Sequence, residues 1–196
     1  MVPDELQALT RERLGGLGEI LQSQRTSMAA AVVEPLQVLS LRALAGGAES
    51  LVRAIDAIGI AALPGPGRFA ASGATRLVWR NPTEWLLVTP EAEVAQAVLR
   101  ALAPAQGALA CAIDQSDGLV TLELRGAPLD AVLHRLLDAA AVPHEPGQGT
   151  RARMADIAVV VLRLDPERAW LIADRANDRY LAHWVAHATD ALSALS

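Results

Sequence analysis

The chain has 196 residues, 52% hydrophobic and 20% charged, with a net charge of −5 and a pI near 5.3. That balance excludes wholesale disorder and argues against a phosphate-backbone partner, and 3% aromatic residues are too few for a single-strand stacking platform. All basic residues are Arg and Cys111 is the single cysteine, so Schiff-base lysine chemistry, an intrachain disulfide and a multi-cysteine metal site are excluded as well.

Residues 1–32 read as an N-terminal arm. Leu6, Leu9, Leu14, Leu17 and Leu21 have loose helical spacing, but Gly15, Gly16 and Gly18 weaken any helix there by about 1 kcal/mol each, so the segment is expected to dock on a partner or fray. A first lobe is predicted over 33–117. Its elements are a strand from Leu36, an amphipathic helix from Glu49 to Ile58, a Pro/Gly loop at 63–68, paired strands near 75–80 and 84–89, a helix over 91–103 and a strand near 108–114. That order is the split βαβ arrangement.

A second lobe is predicted over 118–196, packed with the first as one body. Leu119 to Leu124 alternates as a half-buried strand, and Pro128 opens a helix running to about Ala139. A loop at 143–149 leads into a strand or bent pair over 150–163, then an Asp165-Pro166 turn, a strand from Ala169 to Ala173 and a closing helix to Thr189. No final strand is evident. The lobes share a motif: an apolar strand, a Pro turn, a Trp-led apolar strand and a polar helix start, with Trp85 in one copy and Trp170 in the other. The expected class is α+β, two fused ferredoxin-like lobes with antiparallel sheets backed by helices.

The residues that could carry chemistry do not assemble into a catalytic set. His183 and His187 share a helix face, but His-Trp-Val-Ala-His lacks the adjacent Glu of a zinc protease and implies no third ligand; they read as exposed or partner-facing. Asp114, Ser116 and Asp117 read as turn chemistry before Gly118, or as carboxylates orienting a substrate amine. Arg151 and Arg153 alternate along a strand, so they face one side, either solvated or holding a carboxylate on a ligand or partner. Cys111 sits in an apolar run and reads as a buried small hydrophobe; Trp79, Trp85, Trp170 and Trp184 read mostly as core. The 65–67 and 147–149 glycines lack the strand–glycine–helix setting of a dinucleotide site. No apolar run reaches the roughly 20 residues of a membrane span and the N-terminus lacks a secretory pattern, so a cytoplasmic protein is expected.

Leu77-Val-Trp-Arg-Asn-Pro-Thr-Glu-Trp-Leu-Leu-Val, Asp114-Gln-Ser-Asp-Gly, Thr121-Leu-Glu-Leu-Arg-Gly-Ala-Pro and Trp170-Leu-Ile-Ala-Asp-Arg-Ala-Asn-Asp-Arg-Tyr-Leu-Ala-His-Trp follow one another in the order and spacing of a known family. From about residue 33 to 189 the chain resembles the gamma subunit of heterotetrameric sarcosine oxidase. Asn81-Pro-Thr stands where that family has Gly-Pro-Asp, and Ala139 to Arg153 replaces its Cys-Pro-Leu-Asp and Gly-Arg-Cys stretch.

The resemblance implies a fold akin to folate-binding aminomethyltransferase domains. It also implies an accessory, non-catalytic role beside alpha, beta and delta subunits in a complex that oxidatively demethylates sarcosine to glycine and formaldehyde. FAD, FMN, NAD, tetrahydrofolate and zinc then belong to the partner subunits. No catalytic, cofactor or metal residue is expected here, and Arg151, Arg153, His183 and His187 are the predicted partner-facing residues. Two alternatives stay open: the small subunit of a related complex such as N-methylglutamate dehydrogenase, and a stand-alone folate-binding or aminomethyl-transfer protein.

Overall fold

A computed structural model of the chain describes residues 28–34, 36–103 and 109–193; residues 1–27 of the predicted arm lie outside them. Among the described residues ten strands form two five-stranded antiparallel sheets. The first contains β2 (Gln37–Ala43), β3 (Phe69–Ser72), β4 (Thr75–Asn81), β5 (Glu84–Thr89) and β6 (Ala110–Asp114) in the order β3-β4-β5-β2-β6. The second contains β1 (Ala29–Val32), β7 (Leu119–Arg125), β8 (Gly149–Met154), β9 (Ile157–Asp165) and β10 (Arg168–Asp174) in the order β8-β9-β10-β7-β1. Helices α1 (Ala48–Asp56) and α2 (Ala92–Ala101) belong to the first lobe, α3 (Leu129–Leu136) and α4 (Asp178–Ser193) to the second.

The two sheet orders are the same order written twice, with β1 of the second sheet standing where β6 stands in the first. The final strand that the sequence does not mark in the second lobe is supplied by the end of the predicted arm. Ala29 pairs with Arg125 and Val32 with Leu122. Nothing in Ala-Ala-Ala-Val marks it as a strand, because alanine carries little β preference; only the open edge of β7 makes it one.

Helices form where one stripe of apolar residues can be buried. In α3 Leu129, Val132, Leu133 and Leu136 are buried at i, i+3, i+4 and i+7, while Asp130 and His134 face out. In α1 the stripe is Leu51, Ala54 and Ile55. Helices cover one face of each sheet and the other two faces pack together, so the layers run helix, sheet, sheet, helix. Each lobe has its own helix–sheet core, and a third core of Val38, Val78, Leu86, Val88, Val160, Leu162, Trp170 and Ile172 joins the sheets. A strand covered on both faces reads as an unbroken apolar run, and all six residues of β5 are buried.

The two Pro/Gly loops meet between the lobes. The Phe69 N–H donates to the Gly147 carbonyl and the Gly149 N–H to the Gly67 carbonyl, each at 3.1 Å. A side chain on Gly149 would come within 2.9 Å of Leu162 Cδ2 and 3.3 Å of Val78 Cγ1, so glycine is what lets β8 approach the first sheet this closely.

The Trp repeat proves to be offset by one residue. Both hairpins turn through a two-residue loop, Pro82-Thr83 and Pro166-Glu167, and both carry a bulge on the strand before it. Matching those hairpins puts Trp85 level with Ala169, and Leu86 level with Trp170. One residue along a strand reverses the face. Trp85 therefore packs under the first lobe's helices, its indole N–H on the Pro64 carbonyl at 2.9 Å, while Trp170 lies between the sheets.

Candidate functional site

Each sheet carries one nearly buried carboxylate ringed by arginines. In the first, Glu84 Oε1 accepts the buried Ser40 hydroxyl at 2.7 Å and Arg80 Nη1 at 3.0 Å. Asn81 Nδ2 reaches Oε2 at 3.1 Å, and Arg42 stands 3.6 Å off. In the second, Glu123 Oε2 accepts Arg168 Nε at 2.6 Å and the Trp170 indole N–H at 2.8 Å, and Oε1 accepts Arg125 at 3.0 Å. Matched through the hairpins, Ser40 corresponds to Glu123, Glu84 to Arg168 and Arg42 to Arg125, so the two networks are counterparts with acid and base exchanged.

Burial opposes ionisation of both carboxylates, but the donors outweigh it. Ser40, Arg80, Arg42 and Asn81 hold Glu84 below the ordinary carboxylate range; Trp170, Arg168 and Arg125 do the same for Glu123. Arg76 is lowered, first by burial and then by Arg168 across the lobe boundary. A depressed carboxyl stabilises the fold fully above its unfolded pKa, and that contribution is lost as pH falls through the folded value. Thermal melts from pH 8 to 3 should therefore be flat above about pH 5 and steepen below it. Both carboxyls contribute to that slope, and Glu84→Gln with Glu123→Gln should flatten the acid limb.

Arg151 and Arg153 do project from the same face of β8, between the buried Ala152 and Met154. They part company beyond that. Arg153 stands 3.9 Å from Asp156 in a solvated pair, whereas Arg151 lines a cleft of about 100 Å³ between the lobes together with Arg80.

His183 and His187 are exposed on α4 and border a shallow apolar groove of about 350 Å³ with Tyr180 and Trp184. The Trp184 ring lies edge-on to both Tyr180 and His187, at 6.2 and 6.3 Å. Trp184 is only half-buried, unlike Trp85 and Trp170. Histidine and arginine pairs lie on different elements, and Arg151 borders a different hollow from His183 and His187.

Asp114 and Ser116 build a turn: Asp114 Oδ1 accepts the Ser116 N–H and hydroxyl, and Ser116 Oγ accepts the Val38 N–H at 3.0 Å. Asp114, Asp117 and Asp174 border an open hollow of about 500 Å³. Cys111 is half-buried on the edge strand β6 rather than enclosed, because residues 109, 111 and 113 turn away from the helix-side core. Among the described residues no three His, Cys, Asp or Glu side chains come together as metal ligands, and no helix is long and apolar enough to cross a membrane.

Sequence reasoning missed Glu84, Glu123 and Arg163. Arg163 is buried in β9 with Nη1 on Asp130 Oδ1 at 2.7 Å, Nε on the Asp165 carbonyl at 2.8 Å and Nη2 on the Pro166 carbonyl. The available signal was an ionisable residue interrupting Val159-Val-Val-Leu-Arg-Leu, a run too apolar for a solvated strand.

The family model described as sarcosine oxidase, gamma subunit, matches residues 46–191. The chain belongs to that family. No curated protein sequence matches it. This gamma-subunit-family chain is similar in fold to a chain of the heterotetrameric sarcosine oxidase from Corynebacterium sp. U-96 in complex with pyrrole 2-carboxylate. The TM-score is 0.78 at 22% identity, over 94% of this chain and 97% of that one. It is also similar to the glycine cleavage system aminomethyltransferase T from Bartonella henselae, with a TM-score of 0.55 at 20% identity, over 88% of this chain and 48% of that one. The α+β, aminomethyltransferase-like class expected from the sequence is the class observed.

Proposed function

We propose that this chain is the accessory, non-catalytic gamma subunit of a heterotetrameric sarcosine oxidase, whose complex oxidatively demethylates sarcosine to glycine and formaldehyde. The observation that carries the reading is family membership combined with a fold coextensive with one chain of such a complex. Alpha, beta and delta subunits are its partners in a cytoplasmic assembly. FAD, FMN, NAD, tetrahydrofolate and zinc sit on them.

The chain's part is then packing and charge at contacts. The Tyr180–Trp184 groove with His183 and His187 supplies an aromatic anchor of the kind that dominates interfaces, and Arg151 and Arg153 supply cationic reach. Affinity capture of the full chain from its native lysate tests the reading. The expected result is a yellow complex containing a large, a medium and a small partner and oxidising sarcosine. Activity on N-methylglutamate instead of sarcosine would move the chain to the related dehydrogenase. A colourless, partner-free chain that binds folate tightly would overturn the subunit reading.

A further inference from the structure

The cleft between the lobes brings together arginines from both sheets. Its floor is apolar, from Leu86 on the first sheet and Val160 and Ile172 on the second, and one guanidinium comes from each lobe, Arg80 from β4 and Arg151 from β8. Arg80 is the extra residue of the β4 bulge, a device that re-aims a side chain out of strand alternation. Its Nη1 is committed to Glu84, but its Nε–H is buried and reaches no acceptor among the described residues. A buried guanidinium donor left unpaired is costly.

Arg151, unlike Arg80, makes no ion pair among the described residues, and its register partner is Val160. Of the charged side chains that line the cleft two are arginines, Arg80 and Arg151, and one is a carboxylate, Asp174. A volume of about 100 Å³ lies well below the ~300–1,000 Å³ of a cofactor pocket, so the cleft suits a small group better than a pterin or nucleotide.

We propose that Arg80 and Arg151 bind one carboxylate carried on a short aliphatic stem, the carboxylate between the two guanidinium groups and the stem along the apolar lining of the cleft. Guanidinium donors in a fixed fork suit this group better than any other small anion of single charge. The carboxylate comes from a free carboxylic acid or from an acidic side chain of a partner. The first test needs only the full chain, so it stands apart from the subunit reading.

With arginine labelled at Nε, propionate is titrated against a chloride control at constant ionic strength, and the Arg80 Nε–H resonance is followed. A saturable shift is expected. Arg151→Met should weaken it by about fivefold or more, and Asp174→Asn should tighten it about twofold by removing a competing charge. That opposite response cannot come from misfolding. An Arg80 resonance that propionate moves no more than chloride does, or a titration indifferent to Arg151→Met, overturns the proposal.

The source follows from saturation-transfer measurements with propionate on the assembled complex. An Arg151-dependent signal retained there identifies a free acid. A signal lost on assembly, with Arg151→Met weakening assembly, identifies a partner's side chain.

Discussion

Trp170→Ala should cost the chain most of its stability, about 4–6 kcal/mol by urea denaturation, against about 1–2 kcal/mol for Trp170→Phe. The indole is 6% exposed in the core between the sheets, and its N–H is one of the donors holding Glu123 ionised. Alanine opens a cavity the size of a double ring and withdraws that donor from a buried carboxylate. Phenylalanine fills most of the space and withdraws only the donor. Because the side chain sits between lobes rather than within one, the alanine variant should also separate unfolding into two transitions. Equal losses for the two substitutions would show that packing between the sheets contributes little.

Arg163→Met should lose about 2–4 kcal/mol, while Asp130→Asn should lose about 1 kcal/mol or less. The asymmetry follows from exposure: the Arg163 side chain is 3% exposed and the Asp130 carboxylate 61%. Removing the arginine strips the Asp165 and Pro166 carbonyls of their donor inside the β9–β10 turn, whereas Asp130 returns to water. Lysine should rescue little, because one ammonium cannot satisfy acceptors laid out for a planar fork. Chemical denaturation of the three variants side by side checks the order, and Asp130→Asn matching Arg163→Met would sink the argument.

Local pattern carried the parts of the fold whose causes are local. The stripe in α3, the unbroken apolar run of β5 and the Pro turns at 82 and 166 are each visible in a dozen residues. What stayed hidden depends on distant chain. The pair β8 and β9 turns at Ala155, an alanine held at φ 50°, with none of the Gly or Asn that usually advertises such a turn. Strand β3 hid behind the Pro/Gly loop, although Gly73 at φ 54° marks its turn into β4. The Trp repeat pointed correctly to two like lobes, but its one-residue offset concealed that the two rings serve different cores.

At the candidate site, alternation put Arg151 and Arg153 on one face and helical spacing put His183 beside His187. The Glu84 and Glu123 networks were out of reach because Ser40 and Trp170 come from strands 44 and 47 residues away in sequence.

The place of β1 bears on synthesis of the chain. The first sheet draws its strands only from residues 37–114, so it can close as soon as they leave the ribosome. Ala29 meanwhile waits for Arg125, roughly 5–20 s later at ordinary elongation rates. An unpaired strand idle that long is an invitation to mispair with a neighbouring nascent chain. Ala29-Ala-Ala-Val is a poor template for such capture, having small side chains and weak β preference, and it becomes a strand only once its proper edge exists.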